Sequence, residues 1–256
     1  MAVFDNYSKY YDLLYQDKDY KKESDFIINI MKSNMPEAKT VLDLGCGSGR
    51  HAALIAEHGY NIHGVDRSDS ILEEAEKRKD ELKPEIRKRL SYSQGDVRTF
   101  TSEKKYDVVT SLFHVMSYMP ENNDLQAAFS TAATHVKSGG IFIFDSWYGP
   151  AVLSDKPSPR IKKIENEHIQ ITRIAEPEIF PNKNLVDVNY YVLVKDKKTN
   201  QIEQINETHR MRYWFMTEIE YFLGQSGFEL IKSGEWMTDK QPGFESWYVY
   251  YVGRKK

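Results

Sequence analysis

The chain has 256 residues, of which 40% are hydrophobic and 13% aromatic, and this composition excludes a largely disordered protein because so long a chain can bury a large core. The formal net charge is −3, with acidic and basic residues mixed along the whole length, so no broad cationic surface for nucleic acid is expected. One cysteine, Cys46, excludes an intrachain disulfide, and no secretory signal or run of about 18 apolar residues is found, so we expect a cytoplasmic protein that acts on a small molecule without contacting a membrane.

The N-terminal residues 1–36 are predicted to form helices. Tyr7, Tyr11 and Tyr15 repeat at intervals of four residues and would share one helix face, with Tyr10 beside them. Such a stripe is either an aromatic lid over a bound ligand or ordinary core.

Strand-like and helix-like segments alternate from residue 20 to residue 147. The strands are predicted at 40–44, 61–65, 90–94, 106–112 and 140–145, and the helices at 20–35, 49–58, 70–82 and 124–136. This alternation predicts successive βαβ units around a parallel sheet, with residues 40–147 as a cofactor-binding core.

The pattern changes after the fifth strand. Residues 150–215 contain three predicted antiparallel strands, separated by the turns PNKN and DKKTN, and form an insertion that contacts the substrate or a second subunit. Residues 216–256 then form a short helix, capped by Thr217 and ended by Gly227, and a closing β-hairpin.

The stretch VLDLGCGSGRHAALIAEHGYNIHGVD, residues 41–66, has the spacing of an adenosine-cofactor site. Three glycines, Gly45, Gly47 and Gly49, follow a strand. In a dinucleotide-binding motif the third glycine lies five positions after the first, and in this chain that position is Arg50, which disfavours a nicotinamide dehydrogenase. Asp43 precedes the loop, so the loop suits a ligand with a cationic amine and sulfonium near Asp43 and a carboxylate near the helix N-terminus and Arg50.

Two further carboxylates end the next two strands. Asp66, in HGVD, is placed to accept hydrogen bonds from ribose hydroxyls. Asp96, in QGDV, ends the third strand and is followed by Val97. Each aspartate alone is also a common helix cap, but all of them in this order at one sheet edge indicate a cofactor site.

With these residues the segment resembles the cofactor loop of class I S-adenosylmethionine-dependent methyltransferases. The resemblance implies an α/β, Rossmann-like fold with a seven-stranded sheet, parallel except for one strand of the terminal hairpin, and S-adenosyl-L-methionine as cofactor. It also implies that Asp96 accepts a hydrogen bond from the adenine amino group, with Val97 beside the ring. The cofactor-binding residues are then expected to be Tyr11, Asp43, Gly45, Cys46, Gly47, Arg50, Asp66, Arg67, Asp96, Val97 and Leu112.

The fourth strand ends in VVTSLFHVMSYM and lacks the Asn/Asp-Pro-Pro-Tyr tetrad typical of nucleobase and glutamine methylases. His114 is either a general base, an orienting hydrogen-bond partner or a ring packed beneath the cofactor, and Tyr118 either lines the same pocket or is core. The segment YYDLLY and the insertion resemble sugar N,N-dimethyltransferases that act on nucleotide-linked amino sugars. This implies methyl transfer to an amine or hydroxyl of a small polar molecule, with His114 and Tyr11 as catalytic residues and Tyr15, His114 and Tyr118 as substrate-binding residues.

Two arginines of the last insertion strand, Arg210 and Arg212, lie one pleat apart. They either bind a diphosphate of the substrate or are exposed charges. Methylation of RNA or protein, and a non-catalytic S-adenosylmethionine-binding domain, remain alternatives. No metal site is predicted, and a homodimer is possible.

Overall fold

The computed structural model describes residues 8–256, except for the side chains of Ser8, Lys9 and Tyr11. Tyr7 of the predicted aromatic stripe lies outside the described residues. The helices are α1 Ser8–Leu14, α2 Tyr20–Asn34, α3 Arg50–Glu57, α4 Asp69–Asp80, α5 Pro84–Arg87, α6 Asn122–His135, α7 Gly149–Ser154 and α8 Met216–Gln225. The strands are β1 Thr40–Leu44, β2 Asn61–Asp66, β3 Leu90–Gln94, β4 Tyr106–Ser111, β5 Val136–Trp147, β6 Arg160–Glu165, β7 Ile169–Phe180, β8 Leu185–Asp196, β9 Ile202–Arg212, β10 Phe228–Glu235 and β11 Tyr248–Lys255. A short 3₁₀ helix, Val115–Tyr118, follows β4.

The seven-stranded sheet has the order β10-β11-β5-β4-β1-β2-β3. β1 pairs in parallel with β2 and β4, β2 with β3, and β4 with β5, while β11 runs antiparallel to both β5 and β10. The predicted class I methyltransferase sheet, with one reversed strand in the terminal hairpin, is confirmed. The carboxyl ends of β1 to β4 therefore meet at one edge, where ligands bind in open α/β sheets.

The core lies on both faces of this sheet. All six residues of β4 are buried, as expected for a central parallel strand covered on both sides. Val41 and Val108 belong to the cluster formed with α2 and α3, whereas Leu42 and Val109 face the cluster that includes α6 and α8, because side chains alternate along a strand.

The insertion forms a four-stranded antiparallel sheet of order β6-β7-β8-β9, not the predicted three strands. The segment expected to be one strand is a hairpin, β6 and β7, because the Asn166 side-chain oxygen accepts hydrogen bonds from the backbone N–H groups of His168 and Ile169 and closes a tight turn.

Two smaller predictions also need correction. Thr217 does not cap α8, since the helix begins at Met216 and the Glu218 carboxylate accepts from the Phe215 N–H at 3.0 Å. β5 is longer than predicted because Trp147 pairs with Tyr248 of β11. Gly227 follows α8 with a φ of +76°, as expected for a C′ glycine.

Candidate cofactor and acceptor site

The glycine loop joins β1 to α3 in a left-handed backbone path. Gly45, Gly47 and Gly49 have φ values of +80°, +53° and +72°, which favour glycine because a Cβ would crowd the backbone. A Cβ on Gly45 would also lie 2.7 Å from the methyl carbons of Val115. The loop therefore keeps an open cradle at the carboxyl edge of the sheet.

Asp43 is buried at the end of β1, directly before this cradle. The Thr110 hydroxyl donates a hydrogen bond of 2.7 Å to its carboxylate. Burial nevertheless raises the pKa of Asp43 to about 6. A buried carboxylate that is costly to ionise is stabilised by a cation, so this group fits the predicted amine and sulfonium.

Asp66 lies at the end of β2 and lines the same cavity. Its two oxygens accept hydrogen bonds from the backbone N–H groups of Gly47, at 2.9 Å, and Ser68, at 3.1 Å. Burial raises its pKa. Because a carboxylate has about four lone-pair sites, acceptor capacity remains for two ribose hydroxyls.

Asp96 lies beyond β3, and its carboxylate is held by Arg98 through contacts of 2.9 and 2.6 Å. The hydrogen bond from Arg98 lowers the pKa of Asp96, so the carboxylate stays ionised and oriented. The other predicted cofactor residues on this cavity wall are Cys46, Arg67, Val97 and Leu112. The open glycine cradle and the three carboxylates together fit an S-adenosylmethionine molecule.

Arg50 already has an acidic partner, which the sequence did not indicate. Asp12 of α1 accepts hydrogen bonds from Arg50 Nε at 3.0 Å and from the Ser48 hydroxyl at 2.8 Å, and it is also ion-paired with Arg78. Burial acts to raise the pKa of Asp12, but the hydrogen bonds from Arg50 and Ser48 outweigh it and lower the pKa. Asp12 thus joins α1 to the glycine loop, next to Tyr11, whose side chain lies outside the described part of the chain.

His114 follows β4 in a strained backbone segment. Phe113 and His114 have φ values of +67° and +64°, and non-glycine residues adopt such angles mainly where the surrounding structure imposes them. The Asp145 carboxylate, fully buried at the end of β5, accepts from the His114 backbone N–H and lies 2.6 Å from His114 Nδ1. The Tyr248 ring stacks on the imidazole with centroids 4.4 Å apart.

This arrangement places an imidazole on the cavity wall, with its carboxylate partner fully buried beside it. Sequence reasoning named His114 but missed Asp145 and Tyr248 as its partners. The only sequence feature that pointed to Asp145 was its position at the end of the fifth strand. No spacing motif connects it to His114, because 31 positions separate the two residues.

The two described tyrosines of the predicted acceptor site also line the cavity. Tyr15 packs edge-on against Phe113, with ring centroids 5.2 Å apart, and its hydroxyl accepts a hydrogen bond from Arg173 at 3.2 Å. Tyr118 ends the 3₁₀ helix, four residues after His114.

A single cavity of about 1200 Å³ connects these groups. One part is lined by the glycine loop and the ends of β1 to β4. The other part is lined by the antiparallel sheet, including Arg173, Tyr190 and Arg210, and by Trp247 and Tyr248 of the terminal hairpin. The cavity thus reaches from the cofactor loop to the insertion.

The two predicted diphosphate-binding arginines have different positions. Arg210 lines the cavity, and its guanidinium contacts the Asp187 carboxylate at 2.8 and 2.6 Å. Arg212 is buried and is not among the residues that line the cavity, and it donates to Asn122 and Glu218 at 2.7 and 2.9 Å. The prediction that Arg212 binds substrate is therefore not supported, because the core of the sheet already pairs its charge.

Within residues 8–256, no three His, Cys, Asp or Glu side chains come together as a metal site would require. A helix long and apolar enough to cross a membrane is also not found among the described residues.

Comparisons with known proteins agree with this geometry. Residues 41–140 match the family described as a methyltransferase domain. The chain is 31% identical, over 147 residues, to dTDP-3-amino-3,4,6-trideoxy-alpha-D-glucopyranose N,N-dimethyltransferase of Streptomyces venezuelae, an alignment that covers 57% of this chain and 59% of that protein. It is 24% identical to dTDP-3-amino-3,6-dideoxy-alpha-D-glucopyranose N,N-dimethyltransferase of Streptomyces fradiae, covering 82% of this chain and 78% of that one.

Among solved structures, an S-adenosylmethionine-dependent methyltransferase of Clostridium acetobutylicum superimposes with a TM-score of 0.79 and 25% identity. The superposition covers 96% of both chains. The likeness therefore includes the insertion and the terminal hairpin as well as the cofactor-binding core.

Proposed function

We propose that the chain is a class I S-adenosylmethionine-dependent methyltransferase that methylates the amino group of a nucleotide-linked sugar. Both Streptomyces relatives are N,N-dimethyltransferases of dTDP-linked amino sugars, which supports this acceptor class. The bound cofactor supplies an electrophilic methyl group, and the residues of this chain hold the acceptor nitrogen next to it.

The observation that carries the proposal is the size and continuity of the cavity. A drug-sized ligand occupies a pocket of roughly 300–1000 Å³. The cavity of about 1200 Å³ has room for the cofactor and for a second polar molecule against the antiparallel sheet. A macromolecular acceptor would instead favour an open, basic surface.

The charges of the second part of the cavity suit an acceptor that carries phosphates. Arg160, Arg173 and Arg210 of the antiparallel sheet all line it. A guanidinium binds phosphate oxygens through paired hydrogen bonds. We assign Arg210 to this anion contact, with Asp187 fixing the direction of its side chain.

His114 supplies the group that can take or hold the acceptor proton. Its Nδ1 faces Asp145, so Nε2 is available to a ligand in the cavity. A hydroxyl acceptor must lose its proton during the transfer, whereas a neutral amine attacks with its own lone pair. We propose that His114 orients an amine, with Tyr15 covering the acceptor. The catalytic role of Tyr11 stays a prediction from the sequence.

The test is methyl transfer measured by mass spectrometry with four acceptors: a dTDP-linked amino sugar, the matching dTDP-linked hydroxy sugar, the free amino sugar and total RNA. We expect one or two methyl groups on the nucleotide-linked amine and little transfer elsewhere. Transfer to the hydroxy sugar alone, or to RNA alone, would contradict the proposal.

Two variants separate the roles of the residues. His114→Ala should reduce turnover of the amine only modestly, because a neutral amine attacks with its own lone pair and needs no general base. A loss of about 10²–10⁴-fold is expected only where a general base is required. Arg210→Ala should weaken the nucleotide-linked acceptor and leave cofactor affinity within about twofold, since the arginine pairs with phosphate and not with the cofactor. A cytoplasmic location, a homodimer, and the division into residues 1–36, 40–147, 150–215 and 216–256 stay predictions.

A further inference from the structure

The Asp96 carboxylate, on the cavity wall beyond β3, is fixed at both of its oxygens. The Arg98 backbone N–H donates to Oδ1 at 2.9 Å, in the turn that an aspartate side chain forms with the N–H two residues on. The Arg98 guanidinium donates through Nε to Oδ1 at 2.9 Å and through Nη2 to Oδ2 at 2.6 Å. Paired contacts of this kind fix the plane of a carboxylate as well as its position.

These contacts leave little acceptor capacity on Asp96. A carboxylate offers about four lone-pair sites, two on each oxygen. Among the described residues, Oδ1 accepts two hydrogen bonds and Oδ2 accepts one, so one site remains, on Oδ2. Such a site binds an N–H group of a ligand and rejects a carbonyl oxygen, because two acceptors placed together leave both without a hydrogen bond.

Arg98 is itself held by a second carboxylate. Its Nη1 donates to Asp124 Oδ1 at 2.9 Å, and Asp124 lies in the first turn of α6. All three residues of this chain, Asp96, Arg98 and Asp124, line the cavity. A single exposed ion pair contributes little to stability, but a guanidinium shared by two carboxylates cannot rotate without losing one of them. Asp124 therefore restricts Arg98, and through Arg98 it restricts Asp96.

We propose that Arg98 and Asp124 are positioning residues for the base of the cofactor. They direct the remaining acceptor site of Asp96 at the adenine amino group, and the protein thereby discriminates adenine from a base with a carbonyl at that position. Adenine has a donor there, whereas guanine and hypoxanthine have an acceptor. This rests on the methyltransferase part of the proposed function and does not depend on the acceptor sugar.

A direct contact between Asp124 and the base is the competing role, since Asp124 also lines the cavity. The two roles differ in how the residues combine. If Asp124 acts through Arg98, its removal has no further effect once Arg98 is absent, so the two substitutions are not additive. If Asp124 contacts the base, its removal has the same effect with or without Arg98.

The experiment is a calorimetric titration of the full chain with S-adenosylhomocysteine and with S-inosylhomocysteine, which has hypoxanthine in place of adenine. The measured quantity is the ratio of the two dissociation constants, so no acceptor and no turnover is needed. The variants are Arg98→Ala, Arg98→Lys, Asp124→Ala, Asp124→Glu and the double variant Arg98→Ala/Asp124→Ala. Asp25→Ala is the matched control, because Asp25 pairs with Lys21 at 2.9 Å on α2 and is not among the residues that line the cavity.

The wild-type protein should prefer the adenosyl ligand at least tenfold, as expected for a hydrogen bond to a charged group. Arg98→Ala should lower this preference roughly 3–10-fold. Arg98→Lys should lower it as well, because lysine keeps the charge but lacks the planar pair of donors.

Asp124→Ala should lower the preference roughly 2–5-fold, and Asp124→Glu should restore part of it. The double variant should match Arg98→Ala, and Asp25→Ala should match the wild type. A merely structural role would weaken both ligands equally and leave the ratio unchanged.

If the wild-type protein binds S-adenosylhomocysteine but shows no preference between the ligands, or keeps its preference in folded Arg98→Ala and Arg98→Lys, this inference is overturned and the proposed function stands. An equal effect of Asp124→Ala with and without Arg98 overturns the positioning role of Asp124. If Arg98→Ala does not fold, Arg98→Lys and Asp124→Ala decide. If the wild-type protein binds neither ligand, the proposed function fails, and this inference fails with it.

Discussion

Cofactor affinity should depend on pH through Asp43. The carboxylate is buried, and burial raises its pKa to about 6 from the ordinary value of 3.8. A cationic ligand binds the ionised form, so binding is at full strength well above pH 6 and weakens as the carboxyl group takes up a proton. At about pH 5 the apparent affinity should be roughly tenfold lower than at about pH 7, which is about 1.4 kcal/mol.

Calorimetric titration with S-adenosylmethionine between these two pH values measures the effect. Asp43→Asn should bind weakly at both, with the pH dependence lost. Thr110→Val should move the midpoint to higher pH, because the Thr110 hydroxyl lowers the pKa of Asp43 by donating to its carboxylate. Methylthioadenosine, which has no amino acid part, is the matched control ligand and should bind with less dependence on pH.

The same carboxylate has the opposite effect on folding. A raised pKa means that the folded state holds the proton more tightly than the unfolded state, so stability falls as pH rises from about 4 to about 6. In the absence of cofactor, Asp43→Asn should therefore raise the free energy of unfolding at neutral pH, by at most about 3 kcal/mol. Equal cofactor affinity at both pH values, or a pH dependence that survives in Asp43→Asn, would refute this account of the site.

Three further predictions concern the cofactor loop and its supports. Asp66→Ala should weaken S-adenosylmethionine binding at least tenfold in calorimetry, because charge-assisted hydrogen bonds contribute roughly 1.5–3 kcal/mol each, and unchanged affinity in a folded variant would contradict the assignment. Burial acts to raise the pKa of Glu23, but the hydrogen bond from His51 contributes to holding it at about 2. Because this pKa is lower in the folded state, the ionised carboxylate stabilises the fold at pH values above its unfolded pKa. Glu23→Gln should therefore cost about 3 kcal/mol in urea unfolding at neutral pH and nearly nothing near pH 2, and an equal cost at both pH values would argue against this account. Asp12→Asn should speed amide hydrogen exchange in α1, since the ion pair with Arg50 is lost, and unchanged exchange would show that other contacts hold this helix.

The cofactor-binding half of the site could be predicted from the sequence because the residues that form it belong to short segments with recognisable spacing. Gly45, Gly47 and Gly49 belong to one loop, and the positive φ of each is a property of the chain at that point. Asp43 and Asp66 end neighbouring strands of a parallel sheet, and the βαβ pattern alone places such ends at one edge.

The acceptor half depended on contacts between segments that no spacing connects. His114 and Asp145 are 31 positions apart, and Tyr15 and Arg173 are 158 positions apart. Arg212 shows what the alternation of side chains along a strand does not predict. Alternation along β9 places it on the same face as Arg210, but its guanidinium is buried and donates to Glu218.

The sequence by itself determined the parallel sheet with one reversed strand in its terminal hairpin and the chemistry of the cofactor, since hydrophobic period, glycine spacing and strand-end carboxylates are properties of short segments. Only the tertiary structure showed that the insertion has four strands and that the Asp145 carboxylate pairs with His114, and this second feature depends on how distant segments pack. Hydrogen bonds between such segments form wherever packing brings a donor and an acceptor together, and a linear pattern does not record that meeting.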